Sequence, residues 1–124
     1  MTFKFTYNDK AYDVALTNQL IIDVEENCGK PVQHLWHVHR GQEQIMRINK
    51  MGIYAAVLTH LGVLNNEPEL CVSIRQIMNR DDIHWNSGDV VDNCIGFINA
   101  FLQQESEFLK LKGKEKADKE TKKK

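Results

Sequence analysis

Residues 28–41, CGKPVQHLWHVHRG, decide the fold. Read as strand, they bring His37 and His39 to one face, as in His-x-His metal sites; read as helix, they turn His39 about 200° from His37 and leave only His34 and His37 side by side. Pro31 suits the opening position of a helix, and Val32, Leu35, Trp36 and His39 fall at core-side helical spacing. The reading is therefore a helix from about Pro31 to Arg40, ended by Gly41. It offers zinc two ligands at good spacing, His34 and His37, with Cys28 as a distant third, where zinc needs three or four. These histidines are read as solvated or at the core edge, and neither a functional metal nor a cofactor is expected.

Upstream, residues 2–16, TFKFTYNDKAYDVAL, alternate apolar and polar on both sides of Asn8-Asp9, which suit left-handed turn positions. This predicts a β-hairpin with Phe3, Phe5 and Tyr7 on one face. A two-stranded ribbon is marginal alone, so that face requires a helical layer beneath it. Thr17 and Asn18 are cap candidates for a helix whose stripe is Leu20, Ile21, Val24 and Cys28, with Gly29 in the left-handed closing position.

Downstream, residues 44–61 predict the central helix, with Ile45, Ile48, Gly52, Ala55 and Thr59 on one line and Met51, Leu58 and Leu61 broadening it. Gly52, Ala55 and Ala56 permit close helix approach, and Gly62 is expected to close the helix. Asn65, Asn66 and Pro68 form a turn into a short helix with Leu70, Cys71, Ile74, Ile77 and Met78 inward. A polar connection carrying Trp85 leads to Asn86 or Ser87 as the cap of a last helix. Its apolar positions run from Val90 through Phe101 and Leu102, and on towards Phe108 and Leu109. The fold class is α+β, mainly α: an N-terminal hairpin on a bundle of four or five helices. Residues 1–111 form one globular domain, and residues 112–124 form a lysine-rich tail with nothing to bury, expected to be disordered and flexible or a frayed helical extension.

Charge divides the chain at the same place. The whole carries a formal net charge of -1, yet residues 110–124 hold eight lysines against three acids (net +5), leaving 8 basic and 14 acidic residues (net -6) in residues 1–109. An acidic body argues against nucleic-acid binding through the folded surface. There is no run of about 18 apolar residues and no leader-like start, so no membrane association and a cytoplasmic location are expected. The three cysteines, Cys28, Cys71 and Cys94, are odd in number and widely spaced, and are read as buried free thiols. No GxSxG, phosphate loop or HExxH is present, and the reading is not an enzyme. Asp81, Asp82, Asp89 and Asp92 are explained by proximity to a helix start.

The order of these pieces carries a resemblance. LTNQLIIDVEENCGKPVQHLW (16–36), INKMGIYAAVLTHLGV (48–63) and VVDNCIGFINAFLQ (90–103), following the hairpin, resemble the tail assembly chaperones of long-tailed phages and of gene transfer agents. In that family a hairpin strand feeds a helix ending in acids and glycine, a helix with small residues ends in Leu-Gly, and a long apolar-faced helix closes the chain. The resemblance implies a non-enzymatic protein of the bacterial host cytoplasm that binds the tape-measure protein, keeps it soluble and promotes polymerisation of the tail-tube protein around it. Other readings are a structural tail component (tube or connector protein) and a small adaptor binding nucleic acid or an acidic partner through the lysine tail. Oligomeric state is left open. Partner binding needs exposed apolar side chains, and the candidates are Met46, Ile53, Tyr54 and Val57 on the second face of the long helix, plus Trp85. If that helix is buried all round, its candidates are core.

Overall fold

The computed structural model describes residues 1–84 and 87–122, without the side chains of residues 43 and 112–122. Strands β1 (Thr2–Tyr7) and β2 (Lys10–Ala15) form the expected antiparallel hairpin, with Phe3 opposite Val14 and Phe5 opposite Tyr12. Asn8 and Asp9 take φ of 49° and 62°. Positive φ at both central residues matches the right-handed strand twist, and short polar side chains tolerate it. The ribbon lies face down on the helices: Phe3 meets the Phe97 ring edge-on with centroids 5.7 Å apart, and Phe5 packs on Tyr54 at 5.1 Å.

Helix α1 (Asn18–Cys28) begins where Thr17 Oγ1 accepts the Leu20 N–H at 3.2 Å and ends where Gly29, at φ 70°, donates its N–H to the Glu25 carbonyl. The stretch that follows departs from the helix expected over Pro31–Arg40. Only one 3-10 turn forms, Val32–His34, before strands β3 (Trp36–His39) and β4 (Gln42–Ile45) make a second antiparallel hairpin. Distant side chains satisfy main-chain groups at the two ends of that turn: a Glu25 carboxylate oxygen accepts the Val32 N–H at 2.9 Å, and Asn49 Nδ2 donates to the Leu35 carbonyl at 3.1 Å. Trp36 and Ile45, opposite one another, pack on the core, whereas His39, expected inward, is exposed.

The second turn is Arg40-Gly41, at φ 53° and 78°. Glycine adopts this geometry freely; arginine does not, because its Cβ crowds the carbonyl. Arg40→Asn should therefore raise stability by up to about 1 kcal/mol. Urea denaturation of the two proteins checks it, and an unchanged or lower midpoint would show that the Arg40 side chain makes a compensating contact.

Helix α2 (Arg47–Leu64) is the central helix, buried on all sides from Asn49 to Leu58. It runs past Gly62, which was expected to close it. Asn66 closes it instead: at φ 54° it lets Glu67 N–H reach the Gly62 carbonyl (2.8 Å) and its own N–H approach the Val63 carbonyl (3.4 Å), a Schellman pattern. Gly62 is small for a different reason, since a Cβ there would lie 2.8 Å from both the Glu67 carbonyl oxygen and Cys71 Sγ.

After a 3-10 turn (Pro68–Leu70), Ser73 and Gln76 form a reciprocal capping box on helix α3 (Ile74–Met78). Helix α4 (Gly88–Lys122) starts with Ser87 Oγ accepting the Val90 N–H at 3.4 Å. Its backbone remains helical through Lys122, so the tail takes the extension form, while residues 123–124 lie outside the described residues.

Two polar helix side chains pin extended segments by pairing with both main-chain groups of one residue. Asn93 Oδ1 accepts the Thr6 N–H (2.9 Å) while its Nδ2 donates to the Thr6 carbonyl (2.8 Å). Thr59 Oγ1 likewise accepts the Val72 N–H (3.2 Å) and donates to the Val72 carbonyl (3.0 Å). Asn93 thereby covers the free edge of β1, and Gly96, one turn on, leaves room beside the Lys4 carbonyl.

Candidate partner-binding surface

Tertiary structure decides which apolar residues remain available. Of the candidates from sequence, Ile53, Tyr54 and Val57 are core: α2 is covered by α1, α3, α4 and the first hairpin, which leaves it no second face. Burial also pushes the Tyr54 hydroxyl pKa upward. Met46 is 53% exposed and stands at the N-terminus of α2; Trp85 lies outside the described residues. Two residues expected inward are instead exposed, Ile48 and Met78, the latter by 57%.

Ile48 and Met78 meet around a groove. Its walls are Arg47, Ile48 and Met51 from the start of α2, Ile77 and Met78 from the end of α3, and Ile83 from the connection that follows; its volume is about 320 Å³. The five-residue α3 leaves the very start of α2, Arg47 and Ile48, exposed. Methionine and isoleucine give the groove apolar, adjustable walls, since a thioether on a flexible stem repacks around differently shaped partners. Helix periodicity indicates which residues are apolar, but the shortness of α3 determines which apolar residues stay uncovered.

The second hairpin is a two-faced arm beside this region. Val38 stands on the face that Trp36 and Ile45 press to the core, further towards the turn, and is exposed. His37 and His39 lie on the other face, opposite Gln44 and Gln42. His34 sits on the preceding 3-10 turn, so it does not share a helix face with His37. Among the described residues no three His, Cys, Asp or Glu side chains gather as a metal site.

The thiols divide two ways. Cys94 is buried and Cys28 half-buried; burial pushes their pKa values to about 12 and about 11, so both stay protonated and poorly nucleophilic at neutral pH. Their Sγ–H groups face the Lys50 and Asn49 carbonyls. Cys71, expected buried, is exposed beside a second groove of about 410 Å³, whose walls include Asp23, Glu26 and Thr59.

A polar tie joins the first hairpin to the α3–α4 connection. Arg80 donates to the Tyr7 hydroxyl at 2.9 Å and pairs through two nitrogens with the Asp82 carboxylate. Hydrogen bonding from Arg80 holds the Asp82 carboxyl below its ordinary pKa, and the same bonds raise that of the guanidinium. Asp82 thus has a partner in its own segment, while Asp82 and Asp89 both border a cleft of about 220 Å³ under the hairpin turn.

Among the described residues no helix is long and apolar enough to cross a membrane. No family model, curated protein or solved structure matches the chain.

Proposed function

We propose that this protein is a non-enzymatic tail assembly chaperone of the kind found in long-tailed phages and gene transfer agents. It binds the tape-measure protein in the host cytoplasm, keeps it soluble and presents it for tail-tube polymerisation. The observation that carries the reading is the exposed methionine and isoleucine groove between α2 and α3, on a chain whose first 109 residues are net acidic. An adaptable apolar groove accepts apolar segments of a long partner chain one at a time, and the net negative charge of the body keeps the loaded complex soluble. The order of elements that resembles the family supports the same reading.

Co-expression with the tape-measure protein encoded in the same genome tests it. The partner should become soluble and co-purify. Ile48→Ser/Met78→Ser should fold normally, because both side chains are exposed, and should weaken binding about tenfold, the equivalent of about 1.4 kcal/mol. A tape-measure protein that still precipitates, or a double variant that binds unchanged, would overturn the assignment or its site respectively.

A further inference from the structure

The apolar face of α4 does not end where the body ends. Val90, Cys94, Phe97, Ile98 and Phe101 lie along one stripe of the helix and are buried. At about 3.6 residues per turn that stripe continues through Glu105, Phe108 and Leu109. Phe108, Leu109 and Leu111 are 59%, 63% and 64% exposed. With 35 residues the helix is about 52 Å long, enough to carry these side chains beyond the hairpin and α2 that cover its first half.

Charge identifies what fits them. Glu105 and Glu107 precede the Phe108-Leu109 pair, and residues 110–116 after it hold four lysines and one acid, Glu115. A copy of the same helix running antiparallel and crossing at Phe108-Leu109 sets position 105, a glutamate, opposite position 112, a lysine, of the other, since 105, 108, 109 and 112 share one helical face. A parallel pair would oppose acid to acid and lysine to lysine. A two-fold interface requires a patch complementary to itself, and this segment meets that requirement in both apolar and charged residues.

We propose that the chain forms an antiparallel dimer through the C-terminal half of α4, with Phe108 and Leu109 at the two-fold axis. This surface is separate from the α2–α3 groove and does not depend on the function proposed for it.

Sedimentation equilibrium of the full-length chain across a micromolar concentration series, at low and high salt, tests the proposal. The wild type should dimerise and should dissociate more readily as salt screens the opposed charges. Phe108→Ser/Leu109→Ser should raise the dimer dissociation constant more than about tenfold, with far-UV circular dichroism confirming an intact body. Orientation has its own test: Glu105→Lys should weaken the dimer, and Glu105→Lys/Lys112→Glu should restore it. In a parallel pair position 105 faces its own copy, so the single reversal exchanges one repulsion for another and the swap rescues nothing. A monomer at every concentration, or dimerisation indifferent to the serine variant, would overturn the interface; a dimer indifferent to the charge swap would overturn the antiparallel arrangement.

Discussion

Asn93→Leu should lower the stability of the fold by about 2–4 kcal/mol, the combined cost of stranding a main-chain donor and an acceptor. Asn93 is 4% exposed, and its amide is the partner of both the Thr6 N–H and the Thr6 carbonyl on the edge of β1 that β2 does not cover. Leucine keeps the branched skeleton of asparagine and replaces both polar atoms with methyl groups, so the variant removes the two hydrogen bonds together. Asn93→Asp divides them further. It keeps the acceptor for Thr6 N–H but sets a carboxylate oxygen against the Thr6 carbonyl. Burial and that carbonyl raise the folded-state pKa of the new carboxyl above its unfolded value of about 3.9. A group raised on folding contributes stability below its unfolded pKa and loses it as pH rises through the folded one. Asn93→Asp should therefore approach wild-type stability near pH 4 and fall furthest short at neutral pH. Urea melts at both pH values measure it. A flat pH dependence, or a loss below about 1 kcal/mol in Asn93→Leu, would mean that water reaches the β1 edge and substitutes for the amide.

Asn93 also illustrates what sequence could not convey. The first hairpin was legible because its alternation is long and its turn residues, Asn8 and Asp9, are those that accept positive φ. The second was not. Its strands are four residues each, too short to separate a period of 2 from one of 3.6, and its turn places arginine where an asparagine or glycine would have announced it. The segment that leads into that hairpin is tied down by Glu25 and Asn49, residues that in a linear reading are an ordinary helical acid and amide. The same holds at Gly62, where a glycine near a helix end suggested a cap while its actual role is to admit Cys71 and the Glu67 carbonyl.

The candidate surface was legible only in part, and for a related reason. A helix apolar on every side gives no hint of which stretch its neighbours leave bare. The start of α2, at Ile48, and Met46 just before it are exposed at the end that the short α3 leaves bare, whereas Ile53, Tyr54 and Val57 are buried in the core. The exposed Phe108 and Leu109 were visible as a continuing stripe. That the body stops short of them was not.

Gly52→Ala should change sign with its background. Alone it should destabilise by about 1–2 kcal/mol, because the steric cost of overpacking, about 1–3 kcal/mol, exceeds the helix-propensity gain of about 1 kcal/mol. A Cβ at position 52 would lie 2.5 Å from Cys28 Sγ, at the closest approach of α1 to α2. The sulfur has little room to yield, being within hydrogen-bonding reach of the Asn49 carbonyl, while Asn27 Nδ2 holds the Gly52 carbonyl itself at 3.2 Å. Cys28→Ala removes the obstacle and leaves both backbones in place. In that background Gly52→Ala should be neutral to stabilising by up to about 1 kcal/mol, as alanine recovers the helix propensity that glycine forfeits. The double-mutant cycle should therefore return a coupling of about 1–3 kcal/mol between two residues joined by no hydrogen bond to each other. Additive effects would mean that α1 shifts to accommodate the methyl group, and the small-residue line on α2 would then be tolerant of volume rather than matched to the thiol it faces.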